Sequence, residues 1–188
     1  MVSSTLNLTH QFLIAMPMLA DPNFHRTVTY LCHHDEDGAM GIVINRPLDL
    51  NVGDMLDHMD IDADKSAFTT MPVLQGGPVQ TERGFVIHRP SGQWDSVLPV
   101  RDDIGVATSR DILTAIAKGE GPQDVIVALG YAGWGAGQLE RELADNAWLS
   151  GPVDSSIIFE QPYEQRWTSA AQLLGINPTQ LSSEAGHS

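Results

Sequence analysis

The chain has 188 residues, 42% of them hydrophobic and only 18% charged, and its 24 Asp and Glu outweigh 10 Lys and Arg to a formal net charge of −14. That length suits one domain with a sizeable core, and so negative a field argues against direct nucleic-acid binding, which rests on basic residues neutralising phosphates. No stretch approaches the ~20 apolar residues of a membrane span, no basic flank precedes the apolar stretch 12–20 as a secretory signal requires, and Cys32 alone forms no intrachain disulfide; a cytoplasmic setting without a membrane partner is expected.

Residues 12–15 (Phe-Leu-Ile-Ala) read as a short buried strand stopped at Met16-Pro17. Residues 27–34 alternate as a strand and 40–45 form another, joined through Asp35-Glu36-Asp37-Gly38, whose Asp-Gly pair supplies the positive φ of a hairpin. Asn51 caps a short helix over 52–59, with Val52, Met55, Leu56 and Met59 as its apolar positions. Strands are predicted at 73–75, 84–88, 95–100 and 104–108. Ser109 then caps a helix running through Lys118, with Ile112, Leu113, Ile116 and Ala117 on one face and Gly119 as its stop. A buried strand over 125–129 leads into a glycine-rich loop at Gly130, Gly133, Gly135 and Gly137, followed by a helix over 137–146 anchored by Leu139 and Leu143. A strand over 155–159 and a helix over 163–174 complete the pattern, and the tail after Leu181 is polar. Strands outnumber helices and several are joined by hairpins. The expected fold is therefore α/β of an α+β kind: one domain over 6–182, a mixed, largely antiparallel sheet packed by three to four helices, and a frayed tail over 183–188.

Strand, glycine loop and helix in succession is the layout with which many α/β proteins hold a phosphate. The residues do not complete it. After Gly130-x4-Gly135 come Ala136 and Gly137, where a Walker loop needs Lys and Ser or Thr. A dinucleotide fingerprint from Gly135-x-Gly137 would need glycine at position 140, which is Glu140. Glu140 and Glu142 also put carboxylates in the first turns of the helix, where an anion would sit. The glycines are better read as letting backbone pass close to a neighbouring strand while Tyr131 and Trp134 pack.

Other motifs also stop short of chemistry. In a strand, Cys32 and His34 share one face and His33 takes the other; Cys32 lies with Val28 and Tyr30, the setting of a buried thiol. No Cys-x-x-Cys or His-Glu-x-x-His spacing supports a metal, and no cofactor is expected. From Asp60 an Asp-x-Asp-x-Asp run mimics a calcium loop, but Lys65 and Met71 stand where Gly and Glu are required. No Gly-x-Ser-x-Gly elbow is present, and Glu140 and Glu142 point about 200° apart on a helix, too far for a carboxylate dyad.

Taken together, Phe12-Leu-Ile-Ala-Met-Pro, Asp21-Pro22-x-Phe24, Thr27-Val28-x-Tyr30-x-Cys32-x-His34, Gly38-Ala-Met-Gly41, Asn45-Arg46-Pro47, Gly76-Gly77-Pro78-Val79, Arg83-Gly-Phe-Val, Leu129-Gly-Tyr-Ala-Gly-Trp134, Gly137-Gln-Leu-Glu140 with Glu142 and Asn146, and Gly186-His187 resemble the YqgE/AlgH family of bacterial proteins. The resemblance implies a single cytosolic α/β domain and no established reaction. One branch of that family is linked by name to the regulation of alginate synthesis, and members are often labelled transcriptional regulators; the acidic charge here points to an indirect role. His33 stands where the family commonly has an acidic residue, and Thr81 where it commonly has proline.

The leading functional expectation is a non-enzymatic regulatory or binding protein with a protein or small-molecule partner. Asn45, Arg46, Arg83, Tyr131, Trp134, Gln138 and Glu140 are the candidates to line one groove, with Trp and Arg as anchors; the bland alternative is that they only pack turns. A second expectation is a small-molecule enzyme with Glu140 or Glu82 as acid/base and Arg83 or Arg46 holding an anionic group. A thiol switch at Cys32 is the third, and it requires an accessible thiol.

Overall fold

A computed structural model describes residues 7–17, 21–22, 24–63 and 67–176. Its backbone is organised by one strand, β9 (Asp124–Gly135), twelve residues long. On one edge of β9 lies β3 (Gly38–Val43), which continues antiparallel into β2 (Val28–Asp35), β1 (Gln11–Ala15) and β10 (Trp148–Pro152). The other edge pairs with β6 (Val79–Arg89), followed by β8 (Ile104–Ala107) and its hairpin partner β7 (Val97–Arg101). A side pair, β4 (Pro47–Asn51) with β5 (Pro72–Gln75), joins β9 through Leu74↔Ala128 and Gln75↔Leu129, the parallel pairing in an otherwise antiparallel sheet. This is the mixed, largely antiparallel sheet that the sequence predicts.

Four helices of seven or eight residues pack on it: α1 (Val52–His58), α3 (Arg110–Ala117), α4 (Gln138–Ala144) and α6 (Arg166–Leu173). Two single turns, α2 (Ala67–Thr70) and α5 (Ser155–Phe159), and a 3-10 turn over Tyr163–Gln165 leading into α6 complete the described helices. Asn51 caps α1 as its sequence suggests, in a full capping box: its side chain accepts from Asp54 N at 2.7 Å while the Asp54 carboxylate takes Asn51 N. Ser109 occupies the N-cap of α3 without capping it, because its hydroxyl donates to the Asp111 carboxylate and accepts from Ser96 N.

Two expectations are corrected, and a strand is added. The glycine-rich stretch is not a loop: β9 runs on through Gly135, and α4 begins only at Gln138. Residues 155–159 are helical, since Asp154 caps them from Ser156 N at 3.0 Å and Ile157 and Ile158 are both buried, an arrangement a short apolar run allows as readily as a strand. The strand instead falls at 148–152, where Ser, Gly and Pro carry little β-propensity but the full register with β1 compensates. The calcium-like run reaches Asp64 and Lys65, and the polar tail includes Gly186 and His187; these lie outside the described residues.

A change of side-chain phase in β9 shapes the interior. Ile126 and Ala128 face the main core, with Phe12, Tyr30, Ile42 and Phe85, under α5 and α6. Val125, Val127 and Leu129 face a second core beneath α1 and α3. Strict alternation would then send Tyr131 to the second core. Gly130, at φ 79°, breaks the alternation where β6 bulges, residues 80–83 standing opposite this one glycine, so Tyr131 joins the main core and Ala132 and Trp134 form a third cluster with Leu139 of α4. Beside this kink the Gly76-Gly77 backbone crosses β9 so closely that a Cβ on Gly77 would lie 2.1 Å from the Tyr131 carbonyl carbon.

Candidate binding cleft

The phase change in β9 and the bulge of β6 opposite it together build a cleft. Arg83 and Phe85 are two apart on β6 and so share a face, and that face meets Tyr131 after the phase change. The result is a cleft of about 690 Å³ between β3, β6, β9 and the β7–β8 hairpin, with Arg83, Phe85, Tyr131, Trp134 and Leu98 among its walls. The Phe85 and Tyr131 rings meet edge to face at 5.6 Å, and the Arg83 guanidinium stands over Phe85, 5.6 Å from its centroid. Arg83 Nη1 donates to Gln80 Oε1 at 3.3 Å. Among the described residues no Asp or Glu lines the cleft and Arg83 has no ion pair. Leu98 is 39% exposed on the edge strand β7.

Of the seven predicted groove residues, the structure brings Arg83, Tyr131 and Trp134 to this cleft. Gln138 sits next to it in a carboxylate node. Glu142 Oε1 accepts from Trp134 Nε1 at 3.1 Å and Trp148 Nε1 at 2.9 Å, while Oε2 accepts from Gln138 Nε2 at 2.9 Å. Three donors on one carboxylate lock both indoles against α4. Glu140 is held elsewhere: its Oε1 lies 2.7 Å from Nε2 of the fully buried His34, whose Nδ1 accepts from Leu8 N at 3.0 Å. With Nδ1 accepting from a backbone N–H, the proton sits on Nε2 and is donated to Glu140.

Asn45 and Arg46 lie at the far end of β3, beyond Val43, whereas Trp134 pairs with Ala39 at its start. There Asn45 accepts from Val28 N and donates to Arg26 O, both at 2.9 Å, and Arg46 donates to His25 O at 3.0 Å. Burial lowers the Arg46 pKa, against the opposing pull of Asp21. Glu82 alternates away from Arg83, into a second cavity of about 440 Å³ between α1 and α3, walled by Met55, Met59, Leu113 and Leu129; the two share only an open depression over residues 80–83. Thus neither Glu140 nor Glu82 faces Arg83 across the cleft, and neither is joined to Arg46.

Cys32 is 1% exposed in the main core, its Sγ donating to Tyr30 O at 3.5 Å, and burial pushes its pKa far up. A protonated, enclosed thiol lacks the access and thiolate character that a redox switch needs. The expected shared face of Cys32 and His34 is also corrected. The β2–β3 register shifts between Leu31 and His33, so Cys32 stays with Tyr30 while His34 turns to Glu140 on α4. Sequence reading did not single out Gln80, Phe85 or Leu98 as cleft residues. Phe85 was within reach through its i, i+2 relation to Arg83; Leu98 required knowing that the β7–β8 hairpin folds over β6.

Comparison with known proteins agrees with this architecture. The AlgH-like family model matches residues 12–179. A UPF0301 protein of Thioalkalivibrio sulfidiphilus is 58% identical over 99% of this chain and all of its own length, and one of Nitrosococcus oceani is 56% identical over 95% of each. Among solved structures, the AlgH protein of Pseudomonas aeruginosa, also of UPF0301, superposes with a TM-score of 0.80 at 50% identity, covering 100% of both chains. A Corynebacterium diphtheriae protein shares the fold, at a TM-score of 0.71 and 16% identity over 91% of this chain and 89% of its own. The chain belongs to the AlgH-like, UPF0301 family of bacterial proteins.

Proposed function

We propose that this protein is a non-enzymatic binding protein with a regulatory role, acting through a partner seated in the cleft between β3, β6, β9 and the β7–β8 hairpin. One observation carries the reading: Arg83 stands over the Phe85 ring, on a chain with a net charge of −14, and among the described residues it has no ion pair and its cleft no carboxylate. A guanidinium that an acidic protein leaves without a counter-ion, above apolar walls, is a polar anchor in an apolar site. The carboxylates that an enzymatic reading would use are instead bound to His34 or turned to another cavity. The acidic charge repels nucleic acid, so any effect on transcription runs through the partner. A cytosolic location belongs to the same reading; among the described residues no helix is long and apolar enough to cross a membrane.

Equilibrium dialysis against a bacterial cell extract, with retained compounds identified by mass spectrometry, tests this. The wild-type chain should retain at least one compound that Arg83→Ala and Leu98→Arg do not. At 100 times its Kd, that compound should stabilise the fold by about 2.7 kcal/mol in thermal denaturation. Retention of nothing, or retention indifferent to both substitutions, overturns the reading.

A further inference from the structure

Resting on the binding role above, we propose that the occupant of the cleft is a small apolar or aromatic monocarboxylic acid, its carboxylate on Arg83 and its body against Phe85, Tyr131 and Leu98. Size is the first argument. A cleft of about 690 Å³ lies within the ~300–1,000 Å³ typical of small-molecule sites.

Charge is the second. Among the described residues Arg83 is the one cation of the lining, and an amine would meet no carboxylate among them. A neutral alcohol would leave the guanidinium without a counter-charge. A phosphate monoester carries about −1.5 to −2 charges and asks for more than one cation, in a protein whose overall field already opposes anions. A monoanion matches one guanidinium.

Geometry is the third. Among the described residues, Nη1 alone of the Arg83 nitrogens is engaged, with the neutral Gln80 amide. The remaining N–H groups include the Nε and Nη2 edge, whose spacing suits two carboxylate oxygens. Phe85 lies under the guanidinium and supports it by a cation–π interaction. The hydroxyls of Ser96 and Thr108 in the lining are hydrogen-bonded to each other at 2.9 Å. That single bond uses one of the two hydroxyl protons, so Arg83, Gln80, one O–H of this pair and the Tyr131 phenol are the polar groups of the lining, of which Arg83 alone is charged among the described residues; beyond them the surface is the Tyr131 ring, Val97, Leu98 and Met40.

The test uses the full chain, with calorimetry and amide chemical shifts as readouts. Probes are octanoate and 3-phenylpropionate, matched octanol, octylamine and octyl phosphate, and a peptide ending in Leu-Phe with a free carboxylate. The two acids should bind, shifting the amides of β6 and β9, and Arg83→Met should weaken them by about tenfold or more. Arg83 is exposed, so Arg83→Met should fold, and its amide spectrum checks that. Arg110→Met, in the second cavity, should bind both acids as wild type does. Acids that bind no better than the alcohol, or equally well to Arg83→Met, overturn the proposal. Tighter binding of the amine or the phosphate, or binding of the peptide alone, also overturns it while leaving the cleft a binding site. If no probe binds, the acid class falls; the binding role falls only with the dialysis experiment, through retention of nothing or retention indifferent to Arg83→Ala and Leu98→Arg.

Discussion

Gly77 and Gly84 stand on the two sides of Arg83, yet glycine is required at only one of them. A Cβ on Gly77 would meet the Tyr131 carbonyl carbon and oxygen at 2.1 and 2.2 Å, backbone atoms that cannot swing aside. At Gly84 nothing lies within 4 Å. Gly77→Ala should therefore cost about 3 kcal/mol or more, and Gly84→Ala should stay within about 0.5 kcal/mol. Urea denaturation of both variants decides this, and equal losses would show that the crossing of Gly77 over β9 relaxes freely. The need for glycine at 76, 77 and 130 has the same source, two backbones in van der Waals contact beside a bulge. From sequence the glycines were visible, but their partner strand was not.

The β7–β8 hairpin forms one wall of the cleft, and its tip is tied across the sheet. Its two turn residues, Asp102 and Asp103, have φ of 54° and 62°, a hairpin turn built without glycine. Asp102 Oδ2 lies 3.0 Å from His10 Nε2, and His10 Nδ1 lies 2.8 Å from the Tyr30 hydroxyl. In this arrangement the neutral ring donates to Asp102 and accepts from Tyr30. Burial lowers the His10 pKa below its ordinary 6.5, outweighing the opposing effect of Asp102, while Arg101 adds to the lowering. Above pH 6.5 the ring is neutral in both folded and unfolded chains. As pH falls through 6.5 the unfolded chain binds the proton first, so stability declines towards the folded pKa. His10→Gln, which keeps a donor and an acceptor but does not titrate, should lose stability less steeply than wild type between about pH 7.5 and 5. Denaturant titrations across that range measure the slopes, and identical slopes would exclude His10 as the source.

Across the whole molecule, an excess of 14 negative charges works against the compact state. Among the described residues Arg89 with Asp124 is the ion pair that involves an arginine or lysine, so little local pairing offsets that repulsion. Raising NaCl from about 20 to about 300 mM shortens the screening length, and the melting temperature should rise; a flat or falling value would mean that the acidic groups are too dispersed to matter. The sequence by itself determined the elements whose signals are local. The β2–β3 hairpin follows from Asp37-Gly38, α1 from Asn51 and its apolar spacing, and the family from an ordered set of motifs. The composition of the cleft was also legible in part, since Arg83, Tyr131 and Trp134 stood out as residue types. Local signals misled at 155–159, where two adjacent isoleucines serve a helix turn as well as a strand, and at 148–152, where pairing with β1 outweighs weak propensity. Only the tertiary structure decided which candidates meet. His34 and Glu140 are 106 positions apart, and Arg83 is separated from Asn45 and Arg46 not by sequence distance but by the length of β3. The physical reason is the irregularity where β6 bulges against Gly130 and the curl of one long sheet: a shift of one residue in phase exchanges the faces of β9, and no periodicity in the chain announces where that shift falls.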